Sequence, residues 1–314
     1  MADSLNENPS IAVLIPCYQE EKTIAKVVRD FKEALPHADI CVFDNNSTDD
    51  TARIARAAGA NVRREKRQGK GFVVASMFEQ VDADIYIMVD GDDTYDAKSV
   101  NALLLPILKG DADMTVASRL HGFADNSFRN FHIMGNRLVC SIINWMFDAD
   151  INDIFSGYRA FTRQAAQLIP ITAKGFDVET ELTLQALYRG LVIREVPAPY
   201  GARPEGSYSK LKTSSDGLLV LLKLFLMIRS YKPLTFFGGS SILLALAAVA
   251  AGFKPLLEFV RDHQIQSIAS VILAASLVVL SFFSLGLGLI LNSVNLRLLE
   301  VEKLIQKSAR RFVR

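Results

Sequence analysis

Asp90 and Asp92 are one residue apart and stand directly after the short apolar run 85–89 (IYIMV). Two carboxylates at that spacing can share one hard cation, and Gly91 between them lets the backbone turn closely. Mg2+ or Mn2+ prefers such oxygen ligands, completed by phosphate oxygens and water. An acidic, solvated turn gives the same three letters. Position separates the two readings. A run of this length is a buried strand of a parallel sheet, and ligands of open α/β sheets bind just beyond the carboxyl ends of strands.

The aspartates therefore need a sheet to hold them, and the chain supplies its parts in order. Residues 10–15 (SIAVLI) predict a first strand ending at Pro16, followed by Ile24, Val27, Val28, Phe31 and Leu35 at helical spacing. Residues 40–43 predict a second strand ending at Asp44. After it, Asn45-Asn46-Ser47-Thr48-Asp49-Asp50 offers N-caps for a helix reaching Ala58. Residues 60–63 read as a third strand, and 64–71 as a basic loop bearing glycines. A helix follows with Val73, Val74, Met77, Phe78 and Val81 inward. Beyond the aspartates come a helix over 99–108 and a strand over 114–117 that ends at Ser118-Arg119. Strand and helix alternating with short links predict a doubly wound, mostly parallel α/β sheet.

The pattern changes after that. Between His132 and Asp148 the polar residues Asn136, Arg137, Ser141 and Asn144 keep helical spacing among apolar ones. Such a helix suits a membrane interface with Trp145 as anchor, or packs on the domain. A helix to Tyr188 and a strand over 192–196 lead into a basic loop, 203–210.

Residues 217–228 are nearly all apolar but carry Lys223, and Asp216, Lys223 and Ser230 repeat every seventh residue. One narrow polar stripe suits a helix lying along a bilayer surface. Residues 234–253 and 268–291 contain no charge. At ~1.5 Å per residue each spans a hydrocarbon core of about 30 Å. Two such runs in succession argue against core helices of a soluble protein. Basic residues flank the pair (Arg229 and Lys232 before it; Arg297, Lys303, Lys307, Arg310, Arg311 and Arg314 after it), while the link between has only Lys254 and Arg261. The positive-inside rule then places both termini and the sheet domain in the cytoplasm, on a multi-pass protein of the plasma (inner) membrane. The expected divisions are a sheet domain over 1–215, a juxtamembrane interfacial helix over 216–233, a transmembrane hairpin over 234–292 and a basic tail over 293–314.

Composition agrees. The 314 residues carry a net charge of +1, so no global field favours nucleic acid. Cys17, Cys41 and Cys140 are odd in number and unpaired in spacing, which suits reduced thiols, and Cys17 and Cys41, at or in apolar runs, suit small buried hydrophobes. Residues 1–10 are polar and lack the pattern of a signal peptide.

Taken together, Pro16-Cys17-Tyr18-Gln19-Glu20, Asp44-Asn45-Asn46-Ser47-Thr48-Asp49, Gly69-Lys70-Gly71, Asp90-Gly91-Asp92, Ser156-Gly157-Tyr158-Arg159 and the 203–210 loop resemble the family-2 glycosyltransferases of GT-A fold. The resemblance is to the polyprenyl-phosphate sugar synthases, of which dolichyl-phosphate mannose synthase is the type, and covers residues 11 to about 216. The hairpin matches the subgroup anchored in this way, which is often homo-oligomeric, with tetramers among its members.

The resemblance implies an inverting, metal-dependent transfer of one sugar from a UDP- or GDP-hexose to a polyprenyl phosphate at the cytoplasmic membrane face. A transferase with a polysaccharide or glycolipid acceptor, or an inactive lipid-carrier-binding scaffold, is the alternative. It implies a nucleotide pocket lined by Pro16, Tyr18, Glu20 and Asp44, Lys70 near the diphosphate, and a metal on Asp90 and Asp92. Arg119, Arg129, Arg203 and Lys210 become the clamps for the acceptor phosphate, since guanidinium grips phosphate bidentately. Asp153 aligns with the acidic residue near the reacting sugar, as orienter or as base. Glu179 and Glu181 stand where sugar hydroxyls would be met, or form a solvated helix face. Thr94 occupies the place of a glutamine that usually adds a metal contact.

Overall fold

The computed structural model describes residues 9–119, 127–175, 177–204 and 225–312. The expected clamp Lys210 and the interfacial helix up to residue 224 lie outside the described residues, as does the side chain of Arg129. The chain divides into two compact units, Met1–Val220 and Leu221–Arg314.

The first unit is a seven-stranded sheet in the order β3-β2-β1-β4-β6-β5-β7. Its strands are β1 (Ile11–Cys17), β2 (Asp39–Asp44), β3 (Asn61–Arg64), β4 (Ile85–Met88), β5 (Met114–Ser118), β6 (Arg159–Thr162) and β7 (Ile193–Pro197). All neighbours pair in parallel except β6, which runs antiparallel to β4 and β5. The helices are α1 (Ile24–Ala34), α2 (Thr51–Ala57), α3 (Lys70–Gln80), α4 (Val100–Leu108), α5 (Ser127–Phe147), α6 (Arg163–Leu168) and α7 (Val178–Tyr188).

Both faces of the sheet are covered, which is why β4 reads as an unbroken apolar run. Ile85, Ile87 and Val89 join the cluster beneath α1 and α4, whereas Tyr86 and Met88 join the one beneath α3 and α6. In α1 the residues at helical spacing, Ile24, Val27, Val28 and Phe31, are those buried, at roughly 1.5–3 kcal/mol for each large side chain removed from water. Cys17 and Cys41 are buried, as expected of small hydrophobes, and so is Cys140. β1 continues through Pro16 to Cys17. β4 pairs with it only as far as Leu14, so proline falls where the strand has one neighbour and a missing N–H is tolerated.

From β1 the chain winds outward to β2 and β3, then returns to place β4 on the other side of β1. That reversal is the switch point at which such sheets open a crevice. Because β6 is antiparallel, with Arg159 opposite Met88, the loop entering β6 arrives at the same edge as the end of β4. Helix α5 uses Asn136, Val139, Cys140 and Ile143 as its buried face, and leaves Trp145 76% exposed.

The second unit is a helical hairpin, α8 (Pro233–Asp262) and α9 (Ile268–Phe312). Both helices are long and apolar enough to cross a membrane, and only 11% and 6% of their most apolar windows are buried, unlike the mostly buried core helix of a soluble protein. The hairpin is that of a membrane protein. Inside it, Ser241 and Ser281 share a hydrogen bond of 2.9 Å, and Ser284 donates to the Phe237 carbonyl at 2.8 Å. The segment expected as a tail continues the same helix to Phe312.

Candidate active site

Asp90 and Asp92 follow β4 at the carboxyl edge, at the switch point between β1 and β4. Two glycines make room for them. A Cβ on Gly91 would meet the Cys17 sulfur at 2.7 Å, and one on Gly157 would collide with Asp90 Oδ2. The α1 entry is tied to the same turn, since Thr23 Oγ1 donates to the Gly91 carbonyl at 2.6 Å. Gln19, Asn46 and Asp93, one in each surrounding loop, hold left-handed φ of 57°, 62° and 57°. Such conformations persist where surrounding contacts impose them.

Each aspartate is matched with a distant cation. Lys70 Nζ lies 2.5 Å from Asp90 Oδ1 and 2.5 Å from Glu179 Oε1. It is a buried bridge and not a solvated loop cation. Burial opposes its charge, but Asp90 and Glu179 outweigh burial and hold the ammonium protonated well above its ordinary range. Asp92 is 3% exposed, and its Oδ2 lies 2.6 Å from Arg203 Nη2. Its Oδ1 accepts from Thr94 Oγ1 at 2.6 Å and Thr94 N at 3.3 Å. Thr94 thus orients the carboxylate through its hydroxyl. Arg203 reaches Asp92 because Tyr200 bridges to Tyr95 and Gly201 N donates to the Thr94 carbonyl at 2.8 Å.

Arg119 and Asp153 form a second centre at this edge. Nε and Nη2 of Arg119 donate to Oδ2 and Oδ1 of Asp153, both at 2.8 Å, and the Arg119 N–H adds a third bond at 3.0 Å. Asp153 is 1% exposed. Burial would raise its pKa, but the Arg119 hydrogen bonds outweigh burial and hold the carboxyl below the usual range. Arg119 also lies over the Tyr200 ring, 5.4 Å from its centroid.

The loop carrying Asp153 is held by side chains of which only Arg159 belongs to a motif in the sequence. Glu195 Oε1 accepts from the Asn152 and Asp153 amides at 2.8 and 2.7 Å. Asn136 donates to the Asn152 carbonyl at 2.6 Å, and Asn144 exchanges two 2.9 Å bonds with Ile151. Arg159, fully buried, donates to the carbonyls of Ser156 and Ile154 at 2.8 and 2.7 Å. Their only sequence signal is the polar spacing of α5 and the Ser-Gly-Tyr-Arg string.

The expected nucleotide side is two loops stapled together. Gln19 N donates to Ser47 Oγ at 3.0 Å, Glu20 N to Thr51 Oγ1 at 2.8 Å, and Asn45 N to the Cys17 carbonyl at 2.8 Å. Pro16 is half-buried, Tyr18 is 37% exposed, and Glu20 and Asp44 are buried. Asp44 Oδ1 accepts from Ser47 N at 3.2 Å, so it also shapes its own turn. Asn45, one of several candidate caps, has a different task. Its amide donates to the Glu65 and Arg67 carbonyls at 3.1 and 2.7 Å, and its Oδ1 accepts from Gly69 N at 2.7 Å. It fixes the loop that delivers Lys70.

Glu181 does not face this site. It is 1% exposed and accepts from the Thr172 and Ala173 amides at 2.9 and 2.7 Å, as a loop staple. Among the described residues no group of three or more His, Cys, Asp or Glu could hold a metal. The chemistry of the donor set is nevertheless that of a hard cation bound by two carboxylates, with the remaining positions left to phosphate and water. Glycine at 157 leaves Asp90 Oδ2 the space such a ligand needs.

The chain has known relatives. The profile of glycosyl transferase family 2 matches residues 12–169. Glycosyltransferase AglJ of Haloferax volcanii is 32% identical over 266 residues, 84% of this chain and 86% of that protein. Dolichyl-phosphate hexose transferase of the same organism is 28% identical over 210 residues, 67% of this chain and 90% of that one. The structure of Mycobacterium tuberculosis glucosyl-3-phosphoglycerate synthase in complex with Mn2+ and UDP-glucose has a TM-score of 0.57 over 69% of this chain and 79% of that one, at 24% identity, a likeness of fold. Half of the chain lies within the family profile and AglJ matches it over most of its length, so the chain belongs to glycosyl transferase family 2 and is a glycosyltransferase with a GT-A-type sheet and a C-terminal apolar hairpin.

Proposed function

We propose that the enzyme transfers one hexose, with inversion, from a nucleoside-diphosphate sugar to a polyprenyl phosphate at the cytoplasmic face of the plasma membrane. The observation that carries this reading is the meeting of the acidic pair, Lys70, Arg203 and Arg119 at one sheet edge, in a chain that also has a membrane hairpin. The name of the Haloferax dolichyl-phosphate relative and the UDP-glucose bound by the mycobacterial neighbour support the two substrates. Exposed Leu138 and Trp145 on α5 give the sheet unit an apolar face suited to a bilayer surface. A homo-oligomer, in the form of a tetramer, and a cytoplasmic sheet unit belong to the same proposal.

Asp90 and Asp92 would hold Mg2+ or Mn2+, which when bound offsets the negative charge that gathers on the departing diphosphate. Glu20, Asp44, Pro16 and Tyr18 line the space for the nucleoside, and Lys70 places a fixed positive charge beside the diphosphate. A phosphomonoester with its second pKa near 6 is mostly dianionic at neutral pH, so the acceptor needs positioning more than a base. The Arg119–Asp153 pair meets that need. Asp153 takes Nε and Nη2, holding the guanidinium rigid, and leaves Nη1 to an acceptor oxygen. With its oxygens already accepting from Arg119, Asp153 acts as orienter. Arg203, with Arg129 and Lys210, completes the phosphate clamp.

The test supplies radiolabelled UDP- and GDP-hexoses, a polyprenyl phosphate in detergent and Mg2+ or Mn2+. Organic-extractable label released by mild acid is expected from one donor. Label confined to water-soluble product in every combination overturns the lipid acceptor.

A further inference from the structure

Arg203 occupies a place in this structure that its expected task does not require. A residue waiting for an acceptor phosphate would point toward solvent or the Arg119 centre. Instead its Nη2 lies 2.6 Å from Asp92 Oδ2. The other oxygen of Asp92 is taken by Thr94, so Arg203 holds the outward half of that carboxylate. Its Nη1 is buried and has no hydrogen-bond partner among the described residues. A buried guanidinium donor left unmade is costly, so this seat satisfies Asp92 but not Arg203.

The charges around the turn explain the seat. Asp90, Asp92 and Glu179 put three carboxylates around the turn, and Lys70 answers the first and third. Lys70 is the first residue of α3, with its ammonium inside the protein. Arg203 lies past the last strand, tethered through the Tyr95–Tyr200 bridge and the Gly201–Thr94 bond. Of the two cations it is the one able to leave. A dication arriving at Asp92 would face its charge at contact distance, a repulsion that removes either the ion or the arginine. A phosphate group offers the freed guanidinium two acceptor oxygens, including one for the orphaned Nη1.

We propose that Arg203 is the resident counter-ion of the metal site, exchanged by the metal and donor from Asp92 to phosphate. The enzyme then assembles in order: metal and diphosphate first, the complete acceptor clamp afterwards. Arg203 opposes binding of a bare dication and favours binding of a dication carrying a diphosphate. This inference rests on the metal site proposed above.

The sign of one mutation tests it without turnover. Free Mn2+ is measured by electron paramagnetic resonance during titration of the full-length protein in detergent, alone and with inorganic pyrophosphate. Arg203→Ala is expected to bind Mn2+ alone about five-fold or more tightly than the parent, the scale of one charged hydrogen bond lost by a competitor. It is expected to bind Mn2+ with pyrophosphate several-fold more weakly. Arg203→Lys keeps the charge and is expected to stay near the parent for Mn2+ alone. Equal or weaker Mn2+ binding by Arg203→Ala overturns the exchange, as does an equal gain in both titrations. Asp92→Asn separates the exchange from the metal site beneath it. If it abolishes Mn2+ binding while Arg203→Ala changes nothing, only the exchange fails. If Asp92→Asn leaves Mn2+ binding intact, the metal site itself fails.

Discussion

Single side chains at this site carry charge that the fold has already neutralised. Asp153 is the clearest case. Its carboxyl is kept below the ordinary range by Arg119 in spite of burial, so it stays ionised throughout the neutral range. With the proposed polyprenyl phosphate as acceptor, the acid limb of the rate profile should therefore belong to that phosphate, near pH 6. Asp153→Asn is expected to lower kcat about 100-fold through a misplaced Arg119, with the limb unmoved. Steady-state rates from pH 5 to 8 read this directly, and a limb that vanishes in the variant would make Asp153 a base. Lys70 makes the opposite point. In the sequence it is one cation of a basic loop, yet its meaning depends on Glu179, 109 residues away.

Loops and strand ends are where these residues become a site. Gly157 belongs to the loop entering β6, and its missing Cβ leaves Asp90 Oδ2 its place. Its φ is not left-handed, so alanine is tolerated by the backbone and displaces only the carboxylate. Gly157→Ala is expected to weaken Mn2+ binding at least ten-fold while Tm stays within a few degrees; a large fall in Tm with metal binding kept would contradict this. The 65–69 loop gives a stability prediction. Glu65 is buried, and hydrogen bonds from Arg67 and then Ser76 overcome burial to bring its pKa from 4.5 down to about 2. The unfolded chain takes up that proton below about pH 4.5 and the folded one only near pH 2, so the stabilisation is present above 4.5 and is lost as pH falls through this window. Glu65→Gln should be less stable than the parent at pH 7, with the difference shrinking to nothing toward pH 2, as read by Tm in detergent. The strands β1, β2, β4 and β5 are legible in the sequence because apolar runs end at turn residues. β6, only four residues with an arginine at its head, is not. Nothing in Arg-Ala-Phe-Thr carries a period, and its pairing with β4 and β5 alone makes it a strand.

At the scale of the whole molecule a doubly wound sheet and an apolar hairpin are joined in one chain. The hairpin turns at His263, which is exposed and has a left-handed φ of 52°. If both termini are cytoplasmic, as proposed, the turn faces outward. His263→Cys is expected to react with a membrane-impermeant maleimide in intact cells, while Cys17, Cys41 and Cys140 stay buried and silent. Labelling only after permeabilisation would reverse the topology. The sequence by itself determined the alternation of strand and helix, the acidic pair after a buried strand and the two spans, because each depends on residues close in the chain: a period, a turn or an uninterrupted apolar length. Only the tertiary structure decided which cation answers which carboxylate and that Asp153 is held by Arg119, Glu195 and Asn136. It also turned Glu181 from a sugar contact into a loop staple. These pairings come from strand order and from one antiparallel strand that turns its entry loop to the functional edge. Strand order is set by packing across the whole sheet, which leaves no local mark on the residues it brings together.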